Sequence, residues 1–108
     1  MPQLKFRGIK EDSILTLSTP LVDRLQEVLA CPRDYFTIEV MNSTFVSQGK
    51  ITDGYPLVEV AWFDRGQETQ DKVAKIITEE LKNVGYAPSD IFFTILKESA
   101  YYEDGKHF

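Results

Sequence analysis

An internal repeat constrains this chain of 108 residues more than any other feature. Met1-Pro2-Gln3-Leu4 aligns with Tyr55-Pro56-Leu57-Val58, a displacement of 54 residues from Pro2 to Pro56. Pro32-Arg33-Asp34-Tyr35-Phe36-Thr37-Ile38 aligns with Pro88-Ser89-Asp90-Ile91-Phe92-Phe93-Thr94, a displacement of 56 residues from Pro32 to Pro88. Near-equal displacements at both ends of a segment imply one supersecondary plan used twice. The copies span about 2–41 and 55–97 of one domain, 1–108, and leave a tail at 98–108.

Each copy reads strand, helix, strand. From Pro2 to Gly8, Leu4 and Phe6 alternate with Gln3, Lys5 and Arg7, the period of a half-buried strand. Leu21, Val22, Leu25, Val28 and Leu29 recur at helical spacing, and Thr19-Pro20 offers a cap followed by a proline tolerated at the first helical position. This spacing predicts a helix from about Thr19 to Ala30, with a break or kink separating it from Glu11–Leu17, because a helical Pro20 presses on the carbonyl of Thr16. Tyr35–Met41 alternates again as a second strand, and residues 42–54 form a loop in which Phe45-Val46 can seed a small hairpin. In the second copy Tyr55–Phe63 is a strand, Thr69–Val84 a helix with a stripe of Val73, Ile76, Ile77, Leu81 and Val84, and Ile91–Leu96 an apolar closing strand. Right-handed crossovers set the two strands of each copy parallel. The expected fold is therefore α+β, a βαβ-βαβ subunit of ferredoxin-like type, with a four-stranded mixed sheet and both helices on one face.

That arrangement leaves the opposite face of the sheet bare. Lys5, Arg7, Thr37, Glu39 and Glu59 fall on part of it, but Met41, Leu57 and Ala61 are too apolar for simple exposure, so another copy of the chain is the expected cover. Glu39 and Glu59 read as ion-pair partners of Lys5 or Arg7 across the sheet, or as functional carboxylates.

Composition excludes several function classes. With 12 Lys+Arg against 17 Asp+Glu the formal net charge is −5, which repels nucleic acid and anionic lipid. No run approaches the roughly 18 apolar residues of a membrane span, and no basic, apolar and cleavage segments open the chain; a cytoplasmic protein is expected. One histidine, His107, and one cysteine, Cys31, supply no metal-ligand spacing, and Cys31 at a helix C-terminus is a poor thiolate. There is no phosphate-cradling glycine loop and no serine elbow.

The remaining chemical group is the N-terminus. If Met1 is removed, Pro2 becomes a free secondary amine at the start of a central strand. An α-amine has a reference pKa of about 7.7 to 8.0, and burial beside a cation lowers it further, which makes a general base at physiological pH.

A short chain that opens Met1-Pro2, continues as an amphipathic strand and is built from two βαβ halves resembles the tautomerase superfamily over nearly its whole length. That superfamily includes macrophage migration inhibitory factor and 4-oxalocrotonate tautomerase. The opening Met1–Gly8, the segment Val58-Glu59-Val60-Ala61-Trp62-Phe63 and the ending Ala100–Phe108 look most like a bacterial branch of undefined function. The resemblance implies a homotrimer with pockets at subunit interfaces, Pro2 at the base of each, and no cofactor. It also implies keto-enol chemistry, in which the Pro2 nitrogen moves a proton on a small 2-oxo acid or enol while cations hold the carboxylate.

The resemblance carries over unevenly beyond Pro2. Relatives with the longer chain have a lysine where this chain reads Cys31-Pro32-Arg33, so Arg33 is a candidate carboxylate clamp or else a solvated loop charge. Tyr35 matches a pocket-lining tyrosine, Trp62 and Phe63 stand where the third strand ends beside the proline or else in the core, and Arg65 is a second candidate cation or a surface charge. Phe92-Phe93-Thr94-Ile95 replaces the tyrosine and asparagine of the inhibitory-factor branch, and no arginine among Lys10, Glu11 and Asp12 matches the early-helix arginine of 4-oxalocrotonate tautomerase. These departures leave room for a non-catalytic trimeric module of the same fold. The aromatic tail, Tyr101–Phe108, is expected to pack on a neighbouring subunit.

Overall fold

The computed structural model describes all of residues 1–108. Strand β1 (Gln3–Arg7) leads into helix α1 (Glu11–Leu29), a 3₁₀ turn at Arg33–Tyr35 and strand β2 (Thr37–Val40). A hairpin of β3 (Phe45–Ser47) and β4 (Lys50–Thr52) follows. The second unit is β5 (Leu57–Trp62), α2 (Gln67–Asn83) and β6 (Asp90–Ile95), and a short hairpin of β7 (Tyr102–Glu103) and β8 (Lys106–His107) ends the chain.

The main sheet has the order β2-β1-β5-β6. β1 runs parallel to β2 and β5 parallel to β6, while the two units meet at the antiparallel pair β1–β5. This is the mixed four-stranded sheet of two βαβ units. The two strands of each unit are direct neighbours, where a ferredoxin-like order would interleave a strand of the other unit. The register explains the alternation in sequence: Leu4 faces Val60 and Phe6 faces Val58, and all four are buried beneath the helices. Trp62 continues that face and packs against Phe93 at a centroid distance of 4.9 Å. The helices contribute Ile14, Leu17, Leu21, Leu25 and Leu29 from α1, and Val73, Ile76, Ile77 and Leu81 from α2. Arg24 ties the helices together, donating to Glu79 at 2.7 Å and to the buried Glu80 at 2.9 Å.

Helix α1 corrects the expected start at Thr19. It begins at Glu11 and runs unbroken through Pro20 to Leu29. The reason is packing: Ile14 and Leu17 extend the stripe of Leu21, Leu25 and Leu29 by one further pair of turns, and both are buried. Burial of two large aliphatic side chains offsets the lost hydrogen bond of one proline. Glu11 and Asp12 in the first turn also complement the positive end of the helix. The loop at 42–54 does contain a hairpin, turned by Gln48 and Gly49 at φ 49° and 77°, the paired positive angles of a tight two-residue turn. Gly8 leaves β1 at φ 70°, where any Cβ would collide with the backbone carbonyl of Tyr55.

The face of the sheet away from the helices is uncovered. Arg7 reaches Glu59 at 3.9 Å, and the Thr94 hydroxyl donates to the same carboxylate at 2.8 Å. Glu59 is thus held across three strands, the pairing reading of that residue. Phe92 on the same face is 41% exposed. No helix is long and apolar enough to cross a membrane.

Because Pro20 is exposed inside α1, Pro20→Ala restores a backbone donor without disturbing the core. The expected gain is about 2 kcal/mol, read as a higher urea midpoint at unchanged slope. A lower midpoint would mean that the helix uses the proline to set its bend.

Candidate functional site

The site forms where the two units meet at one end of the sheet. Gln3 pairs with Ala61 and with Thr37, so extending the registers by one residue sets Pro2 between the ends of β2 and β5. Proline suits this place: it stands before the first ladder position, where its missing N–H costs nothing, and its carbonyl accepts from the Thr37 N–H at 3.1 Å. Pro2 is fully buried.

Met1 lies over it. Its ammonium donates to the Tyr35 carbonyl at 2.9 Å, and the residue lines a cleft of about 510 Å³. Gln3 and Thr37 line the cleft from the sheet, Asp34 and Tyr35 from the 3₁₀ turn, and Phe63 and Arg65 from the end of β5 and the loop after it. Tyr101, Tyr102, Glu103 and Phe108 complete it from the tail.

The tail is held in place by its own chain. Phe63, Tyr101 and Phe108 form a three-ring cluster with centroid distances of 5.6, 5.3 and 5.4 Å, and the Tyr101 hydroxyl accepts from Gln3 Nε2 at 3.1 Å. Asp104-Gly105 turns the β7–β8 hairpin with φ values of 51° and 80°. Within this chain the tail rings Tyr101 and Phe108 pack on Phe63 at the end of β5.

Arg65 has an unusual environment. Its guanidinium carbon lies 5.8 Å from the Trp62 ring centroid, its Nε is buried without a hydrogen-bond partner, and it makes no ion pair. A buried unmade donor costs about 1–3 kcal/mol, so a ligand oxygen placed there regains that energy on binding. Burial lowers the pKa of the Met1 amine below its ordinary 8.0, and the nearby Arg65 charge lowers it further against the opposing pull of Cys31, Glu103 and Asp34.

The structure brings Tyr35, Phe63 and Arg65 together around the cleft. Pro2 sits behind Met1, and Trp62 is buried in the core beneath Arg65. Arg33 is placed elsewhere: it donates to Asp23 at 2.7 Å, to Gln26 at 3.4 Å and to the Thr19 carbonyl at 3.5 Å, fastening the 3₁₀ turn to α1. Gln3, Asp34, Thr37, Tyr101, Tyr102, Glu103 and Phe108 were not legible as cleft residues. For the tail the usable signal was the Asp104-Gly105 turn, which folds Tyr102-Glu103 back on Lys106-His107.

The mixed four-stranded sheet with two helices on one face matches the tautomerase-like fold of several solved structures. Residues 1–107 match the family described as Domain of unknown function (DUF1904), and this chain belongs to that family. It is 40% identical to a DUF1904 domain from Sebaldella termitidis, whose crystal structure superposes with a TM-score of 0.93 over 100% of both chains. The macrophage migration inhibitory factor-like protein of Entamoeba histolytica shares the fold at 17% identity and TM-score 0.72, covering 99% of this chain and 98% of the other. A fused 4-OT, an asymmetric trimer, does so at 14% identity and TM-score 0.77, covering 97% and 94%. A member of the cis-3-chloroacrylic acid dehalogenase family and a malonate semialdehyde decarboxylase have the same fold. No curated protein matches the sequence.

The lowered amine pKa has a sign that can be checked. The unfolded α-amine titrates near 8.0 and the folded one below it, so the unfolded state binds more protons between these values. For protein retaining Met1, stability conferred by this group is full above pH 8 and declines as pH falls toward the folded pKa. NMR titration of the α-amine should give a value below 8.0 in the native chain, raised by Arg65→Gln and lowered by Glu103→Gln.

Proposed function

We propose that the protein is a keto-enol tautomerase that uses Pro2, freed by removal of Met1, as a general base on a small 2-oxo acid or its enol. The observation that carries this reading is the position of Pro2: buried at the end of a central strand, behind a single residue, with an aromatic cleft that holds Arg65 immediately beyond. Loss of Met1 exposes the Pro2 nitrogen as a secondary amine at the wall of that cleft. Burial and the Arg65 charge act on an amine there in the direction that keeps it neutral, as they do on Met1. Arg65, which lines the cleft, holds the substrate carboxylate through its guanidinium and stabilises the enolate charge as it develops. Tyr35 and Phe63 line the site beside it, Trp62 backs Arg65 from beneath, and Arg33 acts indirectly by fixing the turn that carries Tyr35.

The same reading makes the chain a homotrimer in the cytoplasm. The uncovered sheet face, with Phe92 and Leu57 among its charged pairs, gives a second copy an apolar surface to bury, and a fused 4-OT of this fold is a trimer. A specific observation supports a second reading. With Met1 in place the Pro2 nitrogen is an amide and the Met1 ammonium is anchored on Tyr35, which describes a non-catalytic module of the same assembly.

Intact mass on untagged protein separates these readings, followed by ketonisation assays with phenylpyruvate and hydroxymuconate. Loss of Met1, with activity that falls at least about 10²-fold in Pro2→Ala, is the expected outcome. Retained Met1 would favour the binding module. Sedimentation should give three times the subunit mass; a monomer would remove the trimer from both readings.

A further inference from the structure

Tyr101 is held from several sides. Its N–H donates to the Glu98 carbonyl at 3.1 Å, and its own carbonyl accepts from the Phe108 N–H at 3.0 Å. Its ring meets those of Phe63 and Phe108 edge-on at centroid distances of 5.6 and 5.4 Å, and its hydroxyl accepts from Gln3 Nε2 at 3.1 Å. A tyrosine side chain turns about only two torsions, so contacts at both ring and hydroxyl fix where its oxygen lies.

A phenol has one proton to give and two lone pairs to offer. Toward Gln3 the Tyr101 oxygen is the acceptor, so a lone pair is used and the proton is not. That is the one side-chain hydrogen bond Tyr101 makes, and a hydroxyl polarised by accepting a bond donates its own proton more strongly. Both residues line the cleft, together with Thr37, Phe63 and Arg65. Gln3 directly follows Pro2, whose carbonyl is fixed by the Thr37 N–H at 3.1 Å, so the base and the anchor of the phenol share the start of one strand. Phe63, on which the Tyr101 ring rests, stands two residues before Arg65. A donor with an unused proton is thus fastened between the strand that carries the base and the strand end that carries the cation.

We propose that Tyr101 is a catalytic residue of this cleft, its hydroxyl donating a hydrogen bond to the C2 oxygen of a 2-oxo acid, and that Gln3 is the positioning residue that holds it there. The inference rests on the tautomerase reading for the reaction and adds a group that meets the charge the reaction creates. As Pro2 takes a proton from C3, the C3–H electron pair becomes the C2=C3 bond and the C2=O pair moves onto oxygen. Negative charge then appears on the atom to which the phenol donates, so this bond strengthens toward the transition state. Tyr101 keeps its own proton throughout. The proton on Pro2 passes to the C2 oxygen to complete the enol, an isomer of the 2-oxo acid, so no other reactant is involved. Arg65 at the carboxylate and Tyr101 at the C2 oxygen hold different atoms of the substrate.

Two ligands of one skeleton test this on protein whose intact mass confirms loss of Met1, prepared with a methionine aminopeptidase if necessary. Phenylpyruvate has the C2 oxygen and 3-phenylpropionate lacks it. Titration calorimetry at neutral pH should show the parent binding phenylpyruvate about tenfold tighter. Tyr101→Phe, which keeps the ring on Phe63 and Phe108, should erase that preference, leave 3-phenylpropionate unweakened and lower kcat/KM by about 10²-fold or more. Gln3→Leu, which keeps the phenol and removes its anchor, should lower kcat, and the double variant should be no worse than Tyr101→Phe alone, because the two residues act through one hydroxyl. A purely structural role for Gln3 would instead give additive losses and weaken both ligands alike. Equal binding of the two ligands by the parent, or a preference untouched by Tyr101→Phe, would overturn the role of the hydroxyl; turnover that still collapses in Pro2→Ala would then leave the tautomerase reading standing. A preference that depends on Tyr101 in a parent without turnover would overturn both the tautomerase reading and the catalytic role, leaving Tyr101 a binding contact. Failure of the parent to bind either ligand would overturn both.

Discussion

The antiparallel pairing of β1 with β5 is the contact on which everything else depends. It joins two units that would each be too small to hold a core, and it does so through Leu4 on Val60 and Phe6 on Val58, all buried. Because β1 is central, the chain's first residues are inside the molecule, against the usual tendency of termini to fray. The same pairing delivers the end of β5, and with it Phe63 and Arg65, to the N-terminus. A cleft beside Pro2 is therefore a consequence of topology. Its location would survive most changes of side chain, while its chemistry depends on very few of them.

Periodic elements were legible and non-periodic ones were not, for a physical reason. Strands and helices announce themselves through repeated burial on one face, which is why β1, β5, α2 and the repeat itself could be read directly. At the start of α1 a local rule, proline at the first turn, competes with a global one, the continuing stripe of Ile14 and Leu17, and burial of those two side chains wins. The cleft draws on a 3₁₀ turn, the loop after β5 and a two-strand tail, none of which repeats long enough to show a period. Arg33 and Arg65 illustrate the limit. Both arginines lie outside the strands and long helices, and what separates them is an acidic neighbour on α1: Asp23 pairs with Arg33, whereas Arg65 has no ion pair.

Two buried donors without partners, Trp62 Nε1 and Arg65 Nε, lie at the cleft end of the sheet, and a third buried polar group without one, the Ser89 hydroxyl, lies just before β6. The half-buried and buried carboxylates of the sheet and helices are satisfied: Glu80 has Arg24, and Glu59 has Arg7 and Thr94. An unmade donor beside a cleft is a place where a ligand can restore stability.

Met1 connects these observations. While it remains, its ammonium donates to the Tyr35 carbonyl, the residue lines the cleft, and Pro2 has no basic nitrogen. Its removal would do two things at once, because the bond whose cleavage frees the Pro2 nitrogen also releases the residue that lines the cleft in front of it. Nothing else has to move: Pro2 is held by the Thr37 N–H and by the strand behind it, and the tail is held by Phe63 and Gln3 rather than by Met1. A site whose parts are held in this way demands less ordering from a ligand on binding.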